Sequence, residues 1–420
     1  MNKGTIYRID HLWIPKLLAW ADYHFPYVAY FSPQDVSYPY GGFEQLFFAG
    51  DQACTFEQLD HLPSESEKIG LLAYDLKNRF ERLSSRNRLL IETPDSVFFI
   101  PNLKIKISAN LVEIDHSTPD DIFSQVNAFH APAEVLEQKV SITALTSREE
   151  YLQKAQRIKE HIIEGDIYEM NYCIAFRASF QRLDPIRIYL DLMLKSPMPF
   201  SAFFKAQHQY LIGASPERFL KKSGSLLIAQ PIKGTIRRGV SPEEDQALQR
   251  QLKNSEKERA ENLMIVDLMR NDLARVAQTG TVRVEELFGI YPFKRVSQMI
   301  STVSATLRPE ADFKEVIAHT FPMGSMTGAP KIRCMELIDQ HENFRRGWFS
   351  GALGYIASNG DFDFNVVIRS IIMDKPAGKL FFAVGSAITF DANPVQEYEE
   401  CLLKAQPILD ILCPNSYDNG

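Results

Sequence analysis

Three groups of residues in this chain have the types and spacings that chemistry needs. The first is Lys233, set in Pro231-Ile232-Lys233-Gly234-Thr235 after the apolar run Leu226 to Ala229. Pro231 and Gly234 impose an extended approach and leave space above the side chain, so the amine stands at a strand end where it can face a cleft. A hairpin tip at Ser223-Gly224 folds Glu217 back opposite residue 230 or 231, roughly 7–10 Å from Lys233. A lysine that is partly desolvated or placed near positive charge is a nucleophile, and Arg237 and Arg238 are the nearest cations. The alternative is a lysine solvated at a turn.

The second group is two pairs of acids. Ser255-x-x-Glu258 is a capping box that opens a helix running to about Val276, and Glu258 and Glu261 share a face of it. Asn393 as N-cap, Pro394 at the first position and Gln396 two further on begin the final helix, where Glu397, Glu400 and Lys404 fall on one stripe. These carboxylates are either two solvated faces or, if the helices meet, an oxygen-rich cage for Mg²⁺. The third group would receive anions. The loop Gly324-Ser-Met-Thr-Gly-Ala-Pro-Lys331 leads into a helix from Ile332 to Ile338 and offers backbone N–H groups. Arg369 lies in a β-branched strand from Phe364 to Met373, where its guanidinium needs a carboxylate, a ligand's or an internal one. A glycine-bearing turn, Val384 to Ala387, lets a carboxylate approach the backbone.

Several elements must position these groups. Residues 1–140 read as a strand-rich region, with turn signals between His116 and Gln138 marking a soft boundary before a second region at 141–412. Ser147 caps a helix to about 164, Ile167 to Phe180 has strand character, and Pro185 leads a helix to about Lys195. A meander follows: Phe203 to Lys205, Tyr210 to Ala214, Phe219 to Lys221 and Leu226 to Gln230. Leu263 to Met269 is apolar almost all round, the mark of a buried helix.

Composition narrows the function classes. The 420 residues, 45% hydrophobic, suffice for one large domain or two ordinary ones. A net charge of −7 with no Lys/Arg run argues against nucleic acid or an anionic membrane as partner. The apolar segment His11 to Trp20 is interrupted by Pro15 and Lys16, too short for a span or a secretion signal, so a cytoplasmic location is expected. Five scattered cysteines without CxxC spacing read as reduced thiols, and the nine histidines do not cluster as zinc ligands do.

Taken in order, Ser215-Pro-Glu-Arg218, Pro231 to Thr235, Lys257 to Asp272, Phe321 to Lys331, Gly351 to Ile356, Asn365 to Arg369 and Asn393 to Lys404 resemble the chorismate-utilising enzymes, over about residues 146 to 405. The resemblance implies an α+β fold of four layers, two large packed β-sheets with outer helices, the first region completing the core. It implies chorismate as substrate and Mg²⁺ held by Glu261 and Glu397, with Glu258 and Glu400 supporting through water. Substrate carboxylates would meet Arg369, Lys404 and backbone donors near Thr327-Gly328 and Gly385-Ser386. Lysine at 233 implies the branch that makes 4-amino-4-deoxychorismate for para-aminobenzoate and folate; the anthranilate-forming branch usually has alanine there. In that branch Lys233 attacks ring carbon C2 while Glu217 protonates the departing C4 hydroxyl, and ammonia then adds at C4 and expels the lysine. The ammonia is expected from a separate glutamine amidotransferase subunit, because no cysteine here has the context for glutamine hydrolysis. Anthranilate formation is the nearest alternative; a non-catalytic binder of a carboxylated ring and Schiff-base chemistry at Lys233 are others. Met323, Gln298 and Ala387 depart from the family's usual glycine, histidine and glycine.

Overall fold

The chain crosses from the larger β-sheet to the smaller at Pro216-Glu217 and from the smaller to the larger at Val367 to Arg369, and these two crossings run side by side. The computed structural model describes residues 4–130 and 140–413; residues 131–139, part of the expected boundary, lie outside the described residues. A twelve-stranded and a ten-stranded sheet, antiparallel throughout their named strands, combine with ten α-helices among the described residues. This is the expected α+β class.

In chain order the elements that matter are β1 (Tyr27–Ser32), β2 (Lys68–Leu72), α1 (Arg148–Ile163), β3 (Glu169–Ser179), β4 (Phe200–Ala206), β5 (Gln209–Ser215), β6 (Arg218–Ser223), β7 (Leu226–Gln230) and β8 (Ile232–Arg237). They continue with α2 (Glu256–Ala274), β9 (Val296–Thr306), β10 (Ala352–Ile356), β11 (Phe362–Val366), β12 (Ser370–Asp374), β13 (Lys379–Thr389) and α3 (Pro394–Leu412). The larger sheet contains the order β1-β4-β5-β12-β13-β3, and the smaller β8-β9-β7-β6-β11-β10-β2. The strand-rich first region thus supplies strands to both sheets, through β1 on β4 and β2 on β10.

Two expectations need correction here. The meander from Phe203 to Gln230 is two hairpins in different sheets, β4-β5 and β6-β7. The single strand from Phe364 to Met373 is likewise broken, with β11 in the smaller sheet, β12 in the larger and Arg369 between them. Residues on both sides of each crossing are buried, so the apolar pattern continues across the change of sheet and does not mark it. The crossings are tied by Val366 N–H donating to the Glu217 carbonyl (3.0 Å) and Ala214 N–H to the Arg369 carbonyl (3.1 Å). Arg369 itself sits at φ +51°, in the left-handed region that side chains other than glycine seldom adopt.

Other differences are local. The hairpin turns at Gly224-Ser225, and a bulge between Arg218 and Lys221 restores Arg218 opposite Gln230, which leaves Glu217 beside Pro231 as the sequence implied. Val384 to Ala387 is no turn but the middle of β13, paired along its length with β3. Helix α2 buries one face only, through Glu261, Ile265, Val266, Met269 and Leu273, while Leu263 is 44% exposed. No helix among the described residues is long and apolar enough to cross a membrane. All five cysteines are free thiols.

Aromatic side chains fill the space between the sheets, as where Phe31 of β1 meets Tyr355 of β10 at 5.5 Å, and each such buried ring contributes about 1.5–3 kcal/mol. Beside the first crossing the fully buried Arg218 makes a two-pronged pair with Asp363 (2.8 and 2.9 Å) and lies 4.8 Å from the Phe200 ring. Replacing Arg218 with methionine strands the Asp363 charge, and we expect unfolding free energy to fall by about 3–5 kcal/mol in a denaturant titration. Stability within about 0.5 kcal/mol of the parent would show that the pair does not hold the crossing.

Candidate active site

The crossings bring Glu217 and Arg369 to the wall of one cleft. Strand β8 adds Lys233. Helix α2 adds Glu258 and Glu261, and α3 adds Glu397, Glu400 and Lys404. The two helices therefore do meet, and the four acids face one space. Local sequence explains their aim: the Ser255 hydroxyl accepts from Glu258 N–H and Asn393 Oδ1 accepts from Val395 and Gln396 N–H, fixing where each helix starts.

Gly234 follows Lys233 at φ +89°, and a β-carbon there would lie 2.9 Å from Glu258 Oε2. The glycine opens space as expected, and Glu258 takes it up.

Burial sets the ionisation of the cleft. It raises the Glu217 carboxyl to about 7, with the Ser325 hydroxyl and Lys233 working against the shift. Burial also raises Glu261 to about 8, opposed by Lys233 and assisted by Glu169 and Glu258. Lys233 behaves otherwise than the sequence suggested. Burial pushes it down, but the carboxylates of Glu169 and Glu261 outweigh that and hold the ammonium well above its usual value. Its Nζ lies 2.6 Å from Oε1 of the fully buried Glu169. Arg237 and Arg238 do not reach it, because they pair with Glu244 and Asp245 outside the cleft.

Arg369 makes no internal ion pair among the described residues, and burial lowers its guanidinium to about 10, Glu400 partly compensating. A desolvated guanidinium without an internal partner, facing a cleft, can receive a ligand's carboxylate. Lys404 stands nearby, bonded to Glu400 (2.7 Å) and to the Gly385 carbonyl (2.8 Å).

Three expected residues do not line the cleft. Thr327 is fully buried and its N–H is spent on the Gly324 carbonyl, while Gly328 pairs with Met170 of β3, so the loop presents Ser325 and Met326 instead. Ser386 alternates away from Gly385 and Ala387 along β13 and bonds the Tyr151 hydroxyl at 2.8 Å. A β-carbon at Gly385 would lie 2.5 Å from Cys173 Sγ, so that glycine serves close packing on β3. Of the departures, Gln298 and Ala387 line the cleft, and Met323 is buried outside the lining.

Two site residues escaped the sequence reading. Glu169 opens an apolar strand, and the argument applied to Arg369, that a charge in such a strand needs a partner, would have found it. Lys257 bridges the two helices, 2.8 Å from Glu397 Oε1 and 3.8 Å from Glu261 Oε1. Its i,i+4 spacing from Glu261 was visible; its reach to the last helix was not.

The chain matches the family described as chorismate binding enzyme over residues 39–410. It belongs to the chorismate-binding enzymes. Aminodeoxychorismate synthase component 1 of Klebsiella aerogenes is 37% identical over 353 residues, which are 83% of this chain and 78% of that protein. The protein of the same name from Bacillus subtilis is 33% identical over 391 residues, 87% of this chain and 83% of its own. Among solved structures, anthranilate synthase component I from Streptococcus pneumoniae superimposes with a TM-score of 0.74 at 25% identity, covering 91% of this chain and 92% of that one. The cleft of this chorismate-binding enzyme is lined by five glutamates, three lysines and the guanidinium of Arg369.

Proposed function

We propose that this chain aminates chorismate at C4, as component 1 of an aminodeoxychorismate synthase. The observation that carries this reading is the placement of Lys233 and Glu217 in one cleft, the acid raised by burial to about 7. Arg369 and Lys404 receive the substrate's carboxylates and fix the ring. Glu217 donates its proton to the C4 hydroxyl, which leaves as water while the Lys233 amine bonds C2 and the ring double bonds shift. Ammonia then bonds C4, the bond from Lys233 to C2 breaks, and the Glu217 carboxylate takes the surplus proton of the added nitrogen. The ammonia comes from a separate glutamine amidotransferase subunit.

The acids fit a divalent cation. Glu261 Oε1 is buried without a hydrogen-bond partner, and the Lys257 ammonium lies between Glu261 and Glu397 where a cation would be drawn. Glu261 and Glu397 would hold Mg²⁺, with Glu258 and Glu400 supporting through water. Bound there, Mg²⁺ neutralises and orients an anionic substrate. Glu397→Gln is expected to weaken Mg²⁺ binding at least about tenfold in a calorimetric titration; unchanged affinity would move the metal elsewhere.

The function is tested by incubating the purified chain with chorismate, Mg²⁺ and ammonium chloride and identifying the product. We expect 4-amino-4-deoxychorismate. Anthranilate as the main product would overturn the proposal in favour of the other branch.

A further inference from the structure

Lys233 reaches the cleft already paired. Its one ion pair among the described residues is with Glu169, at 2.6 Å, and Glu169 has no exposed surface. The second carboxylate oxygen, Glu169 Oε2, is buried and has no hydrogen-bond partner. As a purely structural pair this is poor, because a buried carboxylate with one idle oxygen loses hydration that it does not recover. As a proton-transfer pair it is well made. The two heavy atoms are within hydrogen-bond reach, and moving the proton from nitrogen to oxygen turns two desolvated charges into two neutral groups.

The surroundings show why a base is needed. Glu217 at the first crossing, Glu258 and Glu261 on α2 and Glu400 on α3 all face Lys233, and every one of them favours the ammonium form. Behind Glu169 the Cys334 thiol donates to its backbone carbonyl. Glu169 Oε1, 2.6 Å from Nζ, is the acceptor within hydrogen-bond reach, and the ammonium must give up its proton before the nitrogen can attack.

We propose that Glu169 is the base that deprotonates Lys233. The inference rests on Lys233 being the nucleophile of the reaction proposed above. Ammonium and carboxylate become amine and carboxylic acid; the amine lone pair bonds C2, leaving a secondary ammonium beside neutral Glu169. When ammonia adds at C4 that carbon–nitrogen bond breaks, and the released amine takes its proton back from Glu169. No further reactant is required.

The test pairs turnover with a readout on the free protein. In the near-isosteric Glu169→Gln variant amination is expected to fall by roughly 10²–10⁴-fold. Acetic anhydride labelling of Lys233, followed by peptide mass spectrometry across pH, is expected to begin at lower pH, because the carboxylate that holds the proton is gone. A packing role would slow turnover and leave the labelling pH where it was. Unchanged turnover, or an unmoved labelling pH, overturns the proposal. Should Glu169→Gln fail to fold, Glu169→Asp takes its place: amination within about tenfold of the parent supports the base, and a loss as deep as that of Lys233→Ala overturns it. Labelling needs no chorismate, so it separates failure of this inference from failure of the functional reading.

Discussion

Replacing Lys233 with alanine is expected to lower the C4 amination of chorismate by at least about a thousandfold, because no other amine in the cleft can take its place. Lys257 is engaged with Glu397 and Glu261, and Lys404 with Glu400 and a backbone carbonyl. The variant also leaves the Glu169 carboxylate buried alone, at a cost to stability of about 3–5 kcal/mol. Activity must therefore be read beside a melting curve. The double variant Lys233→Ala with Glu169→Gln removes the stranded charge and is expected to recover stability without recovering amination. Recovery of both, or retention of amination in the single variant, would show that Lys233 acts only by holding the structure.

Glu217→Gln is the second large effect. The glutamine keeps the shape but cannot deliver a proton, and a fall of roughly 10²–10⁴-fold in kcat is expected. The pH dependence supplies the sign. Burial raises this carboxyl to about 7, so the acid form is populated below that pH and drains away above it. The amination rate should accordingly decline as pH rises through about 7, and that limb should be missing from the variant. A profile that rises through the same range would assign Glu217 the role of a base.

Much of this site was legible before the fold was known. Capping boxes and helical spacing placed the four acids and Lys404 on two helix faces, and the hairpin around Gly224 carried Glu217 to the neighbourhood of Lys233. What the residues could not disclose is that the helices converge, since α2 and α3 are separated by seven strands divided between the two sheets. The changes of sheet at Glu217 and Arg369 were hidden for a related reason: an inward-facing residue looks the same whichever sheet it belongs to. Backbone commitments were equally silent. Thr327 and Gly328 looked like free loop donors, but the Thr327 N–H closes a tight local turn on the Gly324 carbonyl and Gly328 stands opposite Met170 of β3, a register that only the tertiary fold sets. The charge state of Lys233 was misread because the cations near in sequence, Arg237 and Arg238, are neutralised by Glu244 and Asp245, while the carboxylate that matters lies 64 residues away.

The covalent role of Lys233 is the centre of the account, and intact-protein mass spectrometry in the absence of ammonia tests it directly. With chorismate and Mg²⁺ but no nitrogen source, the protein is expected to gain the mass of one chorismate less one water, and peptide mapping is expected to place the adduct on Lys233. Adding ammonium should discharge it as 4-amino-4-deoxychorismate. Amination that proceeds at full rate with no adduct on Lys233 under any of these conditions would contradict the mechanism.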